Sequence, residues 1–180
     1  WTASGSVKGA GGFDTLVVAA DTLVVAGEAS FVLTNTSLTA TNGLSISLNS
    51  IELVRLTGGP GDNTFNAAGF SGTTVLTGGD GNDTFLAGSG SDFVHGGLGT
   101  DTYQRNLSAL VTVNVTATLQ NSALHLVLDP FGTPQSETDW LTSIENAVLT
   151  GTPNDDTIDV SGWTAGNVPV NGGGGTDILR

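Results

Sequence analysis

The stretch 77–104, "TGGDGNDTFLAGSGSDFVHGGLGTDTYQ", sets glycine and aspartate at even intervals and holds almost nothing that would build a helix. It divides into three contiguous nonapeptides, 78–86, 87–95 and 96–104, of the form G-G-x-G-x-D-x-U-x, where U is large and apolar. Glycines serve where a chain turns sharply through positive φ, or where its backbone must approach a ligand closely. The aspartate supplies a hard anionic oxygen at the end of the turn, and x-U-x is a short strand whose apolar side chain points into a thin core. One nonapeptide is therefore one turn and one strand, and two complete a coil, so turns 18 residues apart stack on the same edge. The turns at 78–83 and 96–101 become neighbours, and the turn at 87–92 lies on the opposite edge. The turn at 58–63 extends the first edge, with 67–77 as a degenerate opposite half-coil.

Further copies stand alone at 9–17, 58–66, 151–159 and 172–180. A longer repeat overlies them: 50–85 aligns with 143–179 at an offset of 93 residues, matching Ser50-Ile51-Glu52 to Ser143-Ile144-Glu145 and Pro60, Asp62, Thr64 and Gly69 to Pro153, Asp155, Thr157 and Gly162. Trp1, Phe70 and Trp163 occupy the same place in successive copies. The expected organisation is the C-terminal part of a preceding repeat over 1–16, a first repeat over 17–104 ending in the nonapeptides, and a second over 105–180, in one continuous solenoid. The chain thus reads as an excerpt from a tandem array. Strand-like alternation fills the spaces between glycine blocks, at 14–27, 30–54, 109–119 and 123–129. In 111–116, Val111, Val113 and Val115 are expected to face inward. The segment "DPFGTPQSETD", 129–139, reads as an exposed loop.

Composition narrows the partners. Seventeen acidic residues stand against four basic ones, a net charge of -13 that repels nucleic acid and anionic membrane surfaces and favours cations. With 38% hydrophobic residues, many of them β-branched, the chain has material for a core, so a folded all-β protein is expected rather than a disordered acidic one. There is no cysteine, hence no disulfide framework. No apolar run reaches the roughly 18 residues that membrane insertion by a helix requires.

Stacking the turns would bring Asp83 over Asp101 at about the strand spacing, ~4.8 Å. Bare carboxylates at that distance repel. A cation between them converts repulsion into coordination, and carboxylate and carbonyl oxygens are what Ca²⁺ prefers, whereas Mg²⁺ demands stricter octahedral geometry. These residues resemble the RTX, or hemolysin-type, calcium-binding nonapeptide repeat family, closely at 78–104 and less so at the isolated copies. The resemblance implies a parallel β-roll, a kind of β-solenoid or parallel β-helix, with calcium between successive turns on one side. Its metal positions fall on Asp14, Asp80, Asp83, Asp92, Asp101 and Asp177. Two turns depart from the pattern: 58–63 has Asn63 in the aspartate place with Asp62 beside it, and 151–156 loses two glycines but gains Asp155 and Asp156.

The other polar and aromatic residues suggest simpler roles. Glu52 and Glu145 suit structural hydrogen bonding better than metal binding, Phe70 and Trp163 suit packing better than a sugar platform, and His95 and His125 suit the surface. Arg105 near Asp101 evokes the base and metal of a polysaccharide lyase, yet no Ser/His/Asp or paired-acid spacing recurs and no enzyme is expected. The expectation is a calcium-stabilised structural module of an extracellular or cell-surface protein, joining neighbouring copies head to tail into a rod or fibril. The alternatives are an adhesin module that grips cell-surface polysaccharide, and a passive secretion and folding domain of a larger secreted enzyme.

Overall fold

A computed structural model describes residues 30–41, 43–49, 51–129 and 134–180, together with three N-terminal strands known by backbone alone. Those are β1 (Ala3–Ser4), β2 (Leu16–Ala19) and β3 (Thr22–Ala26), which pair antiparallel in order. A short meander follows, β4 (Phe31–Thr34), β5 (Ser37–Ala40) and β6 (Ser45–Ser47), also antiparallel. The middle of the chain is more regular: β7 (Leu53–Thr57), β8 (Thr64–Gly69), β9 (Thr73–Asp80), β10 (Thr84–Leu86), β11 (Phe93–Leu98) and β12 (Thr102–Asn106). A second meander, β13 (Asn114–Gln120), β14 (Ala123–Asp129) and β15 (Gln135–Thr142), precedes β16 (Asn146–Thr150), β17 (Thr157–Gly162), β18 (Val170–Asn171) and β19 (Ile178–Leu179). Among the described residues all regular structure is β.

The strands form an 11-stranded sheet, β1-β2-β3-β7-β9-β11-β15-β14-β13-β17-β19, and an 8-stranded sheet, β18-β16-β12-β10-β8-β4-β5-β6. From β7 to β12 the chain alternates between the two, and strands adjacent within a sheet are parallel and in register: Phe65↔Phe85↔Tyr103 in one, Leu56↔Leu76↔Val94 in the other. This is the outcome of a period in which each x-U-x places one side chain inward. Phe31, Phe65 and Phe85 stack with ring centroids 5.3 and 5.0 Å apart, all buried, and face the aliphatic row across the core. Each stacked pair adds about 0.5–1.5 kcal/mol beyond area burial.

Both sheets are mixed: parallel from β7 to β12, and antiparallel in the longer strand segments outside the nonapeptides. The long segments outside the nonapeptides return on themselves through turns too short for a parallel crossover, such as the two residues between β13 and β14. The strand at 111–116 also begins later than its pattern suggests. Regular structure starts at Asn114, Val115 is buried, and Val111 stays 64% exposed in the preceding turn. The segment 129–139 contains a larger departure: from Gln135 onward it is strand β15, with Glu137 and Asp139 buried. Strand alternation turns these acids inward, where Arg105 and Tyr103 meet them.

Strands related by the 93-residue offset lie in opposite sheets. β7 and β16 correspond, as do β8 and β17, yet β7 and β17 are in the larger sheet and β8 and β16 in the smaller. The turn at 58–63 therefore runs from the larger sheet to the smaller one, whereas its equivalent at 151–156 runs the other way and lies on the other edge.

Candidate metal centre

The turns at 58–63, 78–83 and 96–101 stack along the edge where the chain passes from the larger to the smaller sheet. Contact is close: a methyl group at Gly79 would strike the Gly59 carbonyl, one at Gly97 the Gly79 carbonyl, and one at Gly99 the Gly81 carbonyl. Gly79, Gly81, Gly97 and Gly99 all have positive φ, between 99° and 130°, which side chains other than glycine's rarely adopt. Conformation and proximity thus both require glycine at these places.

The aspartates do not simply face one another across the stack. Asp83 is buried and its Oδ1 accepts the Asn63 amide at 2.7 Å, while Asp101 Oδ1 accepts the Asp83 amide at 2.7 Å. Glu145 Oε2 continues the series by accepting the Asp101 amide at 2.8 Å, its longer side chain filling the aspartate place in the shortened turn that follows Ser143. Each acid therefore satisfies a backbone donor that the turn would otherwise leave unpaired. Asn63, in the aspartate place of the first turn, uses its own Oδ1 to accept the Gly59 amide at 2.9 Å.

What remains on Asp101 is Oδ2, buried and with no hydrogen-bond partner. It converges with the Ser143 carbonyl at Gly96, where an added methyl would strike both oxygens. The same pairing of an acid oxygen with the next coil's carbonyl recurs at Gly78, between Asp83 Oδ2 and the Gly96 carbonyl. Burial raises the Asp101 pKa, with Glu145 adding to the rise and the Asp83 amide and His95 opposing it. The Asp101 Oδ2 and Ser143 carbonyl oxygens, brought together without a donor between them, suit a hard cation, and their chemistry fits Ca²⁺. Among the described residues no group of three or more His, Cys, Asp or Glu side chains converges, so main-chain carbonyls must be part of any oxygen set here.

The opposite edge differs. Asp92 Oδ1 accepts the Thr74 amide at 2.9 Å and the Thr74 hydroxyl at 2.7 Å, and its Oδ2 accepts the Gly88 amide at 3.0 Å. Burial, then the charge of Asp139, pushes the Asp92 pKa up to about 6 against those hydrogen bonds. Asp156 is also buried and saturated, by Val115 and Thr152 amides and the Thr152 hydroxyl. Asp177 is exposed and accepts the Asp156 amide at 3.0 Å. Asp62 and Asp155 lie outside on their turns, accepting the Asn82 and Thr176 amides at 2.7 Å, and Asp80 is exposed. Asp14 falls outside the described residues. The nine sequence candidates among the described residues are thus not one cluster but are spread over turns on two edges.

Sequence reasoning missed an interior cluster beside Asp92. Asp139 Oδ1 accepts the Asp92 amide at 2.9 Å, its Oδ2 accepts the Tyr103 hydroxyl, and Arg105 donates to Glu137. Burial pushes Glu137 up to about 8 despite the pull of Arg105. Arg105 is itself buried and held on the acids of β15. The only signal in the sequence was the alternation of Glu137 and Asp139. Phe70 and Trp163 are buried, and His95 and His125 exposed, as their patterns suggested.

Closely stacked glycine turns, two of them ending in an inward aspartate and one in Asn63, have the form of a calcium-type turn array. Residues 68–103 match the model of the RTX calcium-binding nonapeptide repeat, in 4 copies. That segment is thus similar to RTX repeats, a family that binds calcium. No curated protein and no solved structure matches the chain.

Proposed function

We propose that the chain is a calcium-stabilised β-solenoid module with a structural, non-enzymatic role in an extracellular or cell-surface protein. Its nonapeptide block is the β-roll part, and successive 93-residue units add head to tail to form a rod or fibril. The observation that carries the reading is the buried, unpartnered Asp101 Oδ2 beside the Ser143 carbonyl, within stacked turns that belong to a calcium-binding repeat. Asp83 and Asp101 would hold the ion together with turn carbonyls, and the ion would supply charge neutralisation where inward oxygens meet. Alternation of β7 to β12 between two sheets in parallel register supports the solenoid. Extracellular calcium modules bind at roughly 10⁻⁴–10⁻³ M, so such a module would fold after export into a calcium-rich medium.

The test is a calcium titration of EDTA-treated protein followed by far-ultraviolet circular dichroism and urea denaturation. The β spectrum, or its resistance to urea, should rise with calcium. Identical spectra and urea midpoints with and without the ion would sink the reading.

A further inference from the structure

Phe93 and Trp140 are register partners on β11 and β15, and both project from the outer face of the larger sheet with 44% of their surface exposed. Their rings stack with centroids 4.5 Å apart and planes within 8°. Phe93 covers one face of the indole. The next residue across the sheet, Ala123 on β14, is too short to cover the other. Along the same strands the pair is bordered by His95 and Thr142 on one side and by Ser91 and Thr138 on the other, the Thr138 hydroxyl lying 3.0 Å from His125 Nδ1. A rigid sheet thus presents one open aromatic face within a rim of hydroxyl and imidazole groups.

The size of the patch discriminates among occupants. Two large aromatics exposed to this degree offer about 200 Å² between them, well short of the roughly 800 Å² per partner that a stable protein interface buries. A second copy of the chain is not held by so little. The net charge of -13 also disfavours anionic polymers. A neutral sugar ring matches what remains, having an apolar face to lay on the indole and hydroxyls to pair with the rim.

We propose that Phe93 and Trp140 form a binding platform for neutral polysaccharide. The site lies on a sheet face rather than on the calcium turns, so it stands independently of the calcium reading and is tested on calcium-saturated protein. Native gel electrophoresis is run with dextran, hydroxyethylcellulose, laminarin or mannan in the gel, and with hyaluronate as an anionic comparator. At least one neutral polymer should retard the wild type. Trp140→Ala and Phe93→Ala should weaken that retention at least tenfold, and Trp140→Phe, which keeps a stack, should weaken it less. Circular dichroism and calcium response unchanged across the variants separate loss of binding from loss of fold. Retardation by no neutral polymer, by hyaluronate alone, or equally in wild type and Trp140→Ala would overturn the proposal. So would self-association in sedimentation velocity that Trp140→Ala abolishes, because the patch would then serve protein contacts.

Discussion

Replacing Arg105 by methionine tests the interior cluster most directly, because two buried acids, Glu137 and Asp139, share that one guanidinium. Arg105 Nη2 donates to Glu137, and Nη1 lies 3.7 Å from Asp139 Oδ2. Removing one partner of a buried pair costs about 3–5 kcal/mol, because the other charge stays behind. That is a large share of the ~5–15 kcal/mol that holds a typical domain. Glu137 has an escape, since burial already raises its pKa from 4.5 to about 8 and loss of the arginine raises it further. The folded state then binds a proton that the unfolded state releases, so stability declines as pH rises through this window. At pH 6 the variant keeps Glu137 neutral, and should lose only the ~1–3 kcal/mol of a broken buried hydrogen bond. At pH 9 it should lose the full 3–5 kcal/mol. Urea denaturation in saturating calcium, followed by circular dichroism at both pH values, measures the difference. The double variant Arg105→Met with Glu137→Leu should recover most of the loss at pH 9. A cost below about 1 kcal/mol at pH 9, or the same cost at both pH values, would refute the reasoning.

Glu137→Gln in otherwise unaltered protein should flatten the decline in stability between pH 5 and pH 8, by at most about 5 kcal/mol for a group moved from 4.5 to about 8; parallel pH profiles for variant and wild type would contradict this. Gly97→Ala and Gly43→Ala both force alanine into positive φ, at 117° and 93°, which costs about 1–2 kcal/mol. Only Gly97 also faces a stacked carbonyl, while Gly43 has open space around it, so Gly97→Ala should cost distinctly more in urea denaturation and also weaken calcium binding. Asp101→Asn keeps an acceptor for the Asp83 amide but loses the charge at Oδ2, so calorimetry should show calcium affinity falling about tenfold, some 1.4 kcal/mol, with little loss of stability in EDTA. Unchanged affinity would remove Asp101 from the site.

The nonapeptide block was the most legible part of the sequence because its spacing fixes turn, strand and inward residue together. Phe85, Val94 and Tyr103 are buried at the U positions, and the turns at 78–83 and 96–101 stack on one edge. Legibility ends where structure depends on partners far along the chain. Glu137 and Asp139 look like loop acids until Arg105, some 30 residues earlier on β12 of the other sheet, meets them from across the core. The meanders alternate like any half-buried strands, and alternation does not say whether a neighbour runs parallel or antiparallel. Nor does a 93-residue offset say that the equivalent strands change sheets. That follows from the number of half-coils and inserted hairpins between them.

The difference between the two edges bears on how one motif can serve two purposes. An aspartate that ends a glycine turn has two oxygens, and the stack commits Oδ1 of Asp101 to the backbone of the preceding coil. Everything then depends on Oδ2. Asp92 gives its second oxygen to the Gly88 amide and Asp156 gives its own to the Thr152 amide, so those turns close with protein donors alone. Asp101 has no such donor, and its second oxygen instead meets the carbonyl of Ser143, a residue with φ of 51°. Two oxygens without a hydrogen between them are unfavourable in the interior unless a cation joins them. On the proposed reading an edge of closed turns would supply a calcium-independent spine, while the edge through 78–83 and 96–101 would answer to the ion. In calcium-free protein, amide hydrogen exchange should accordingly rise first at residues 96–101 and later at 87–92; simultaneous loss of protection at both would mean that the two edges form a single cooperative unit.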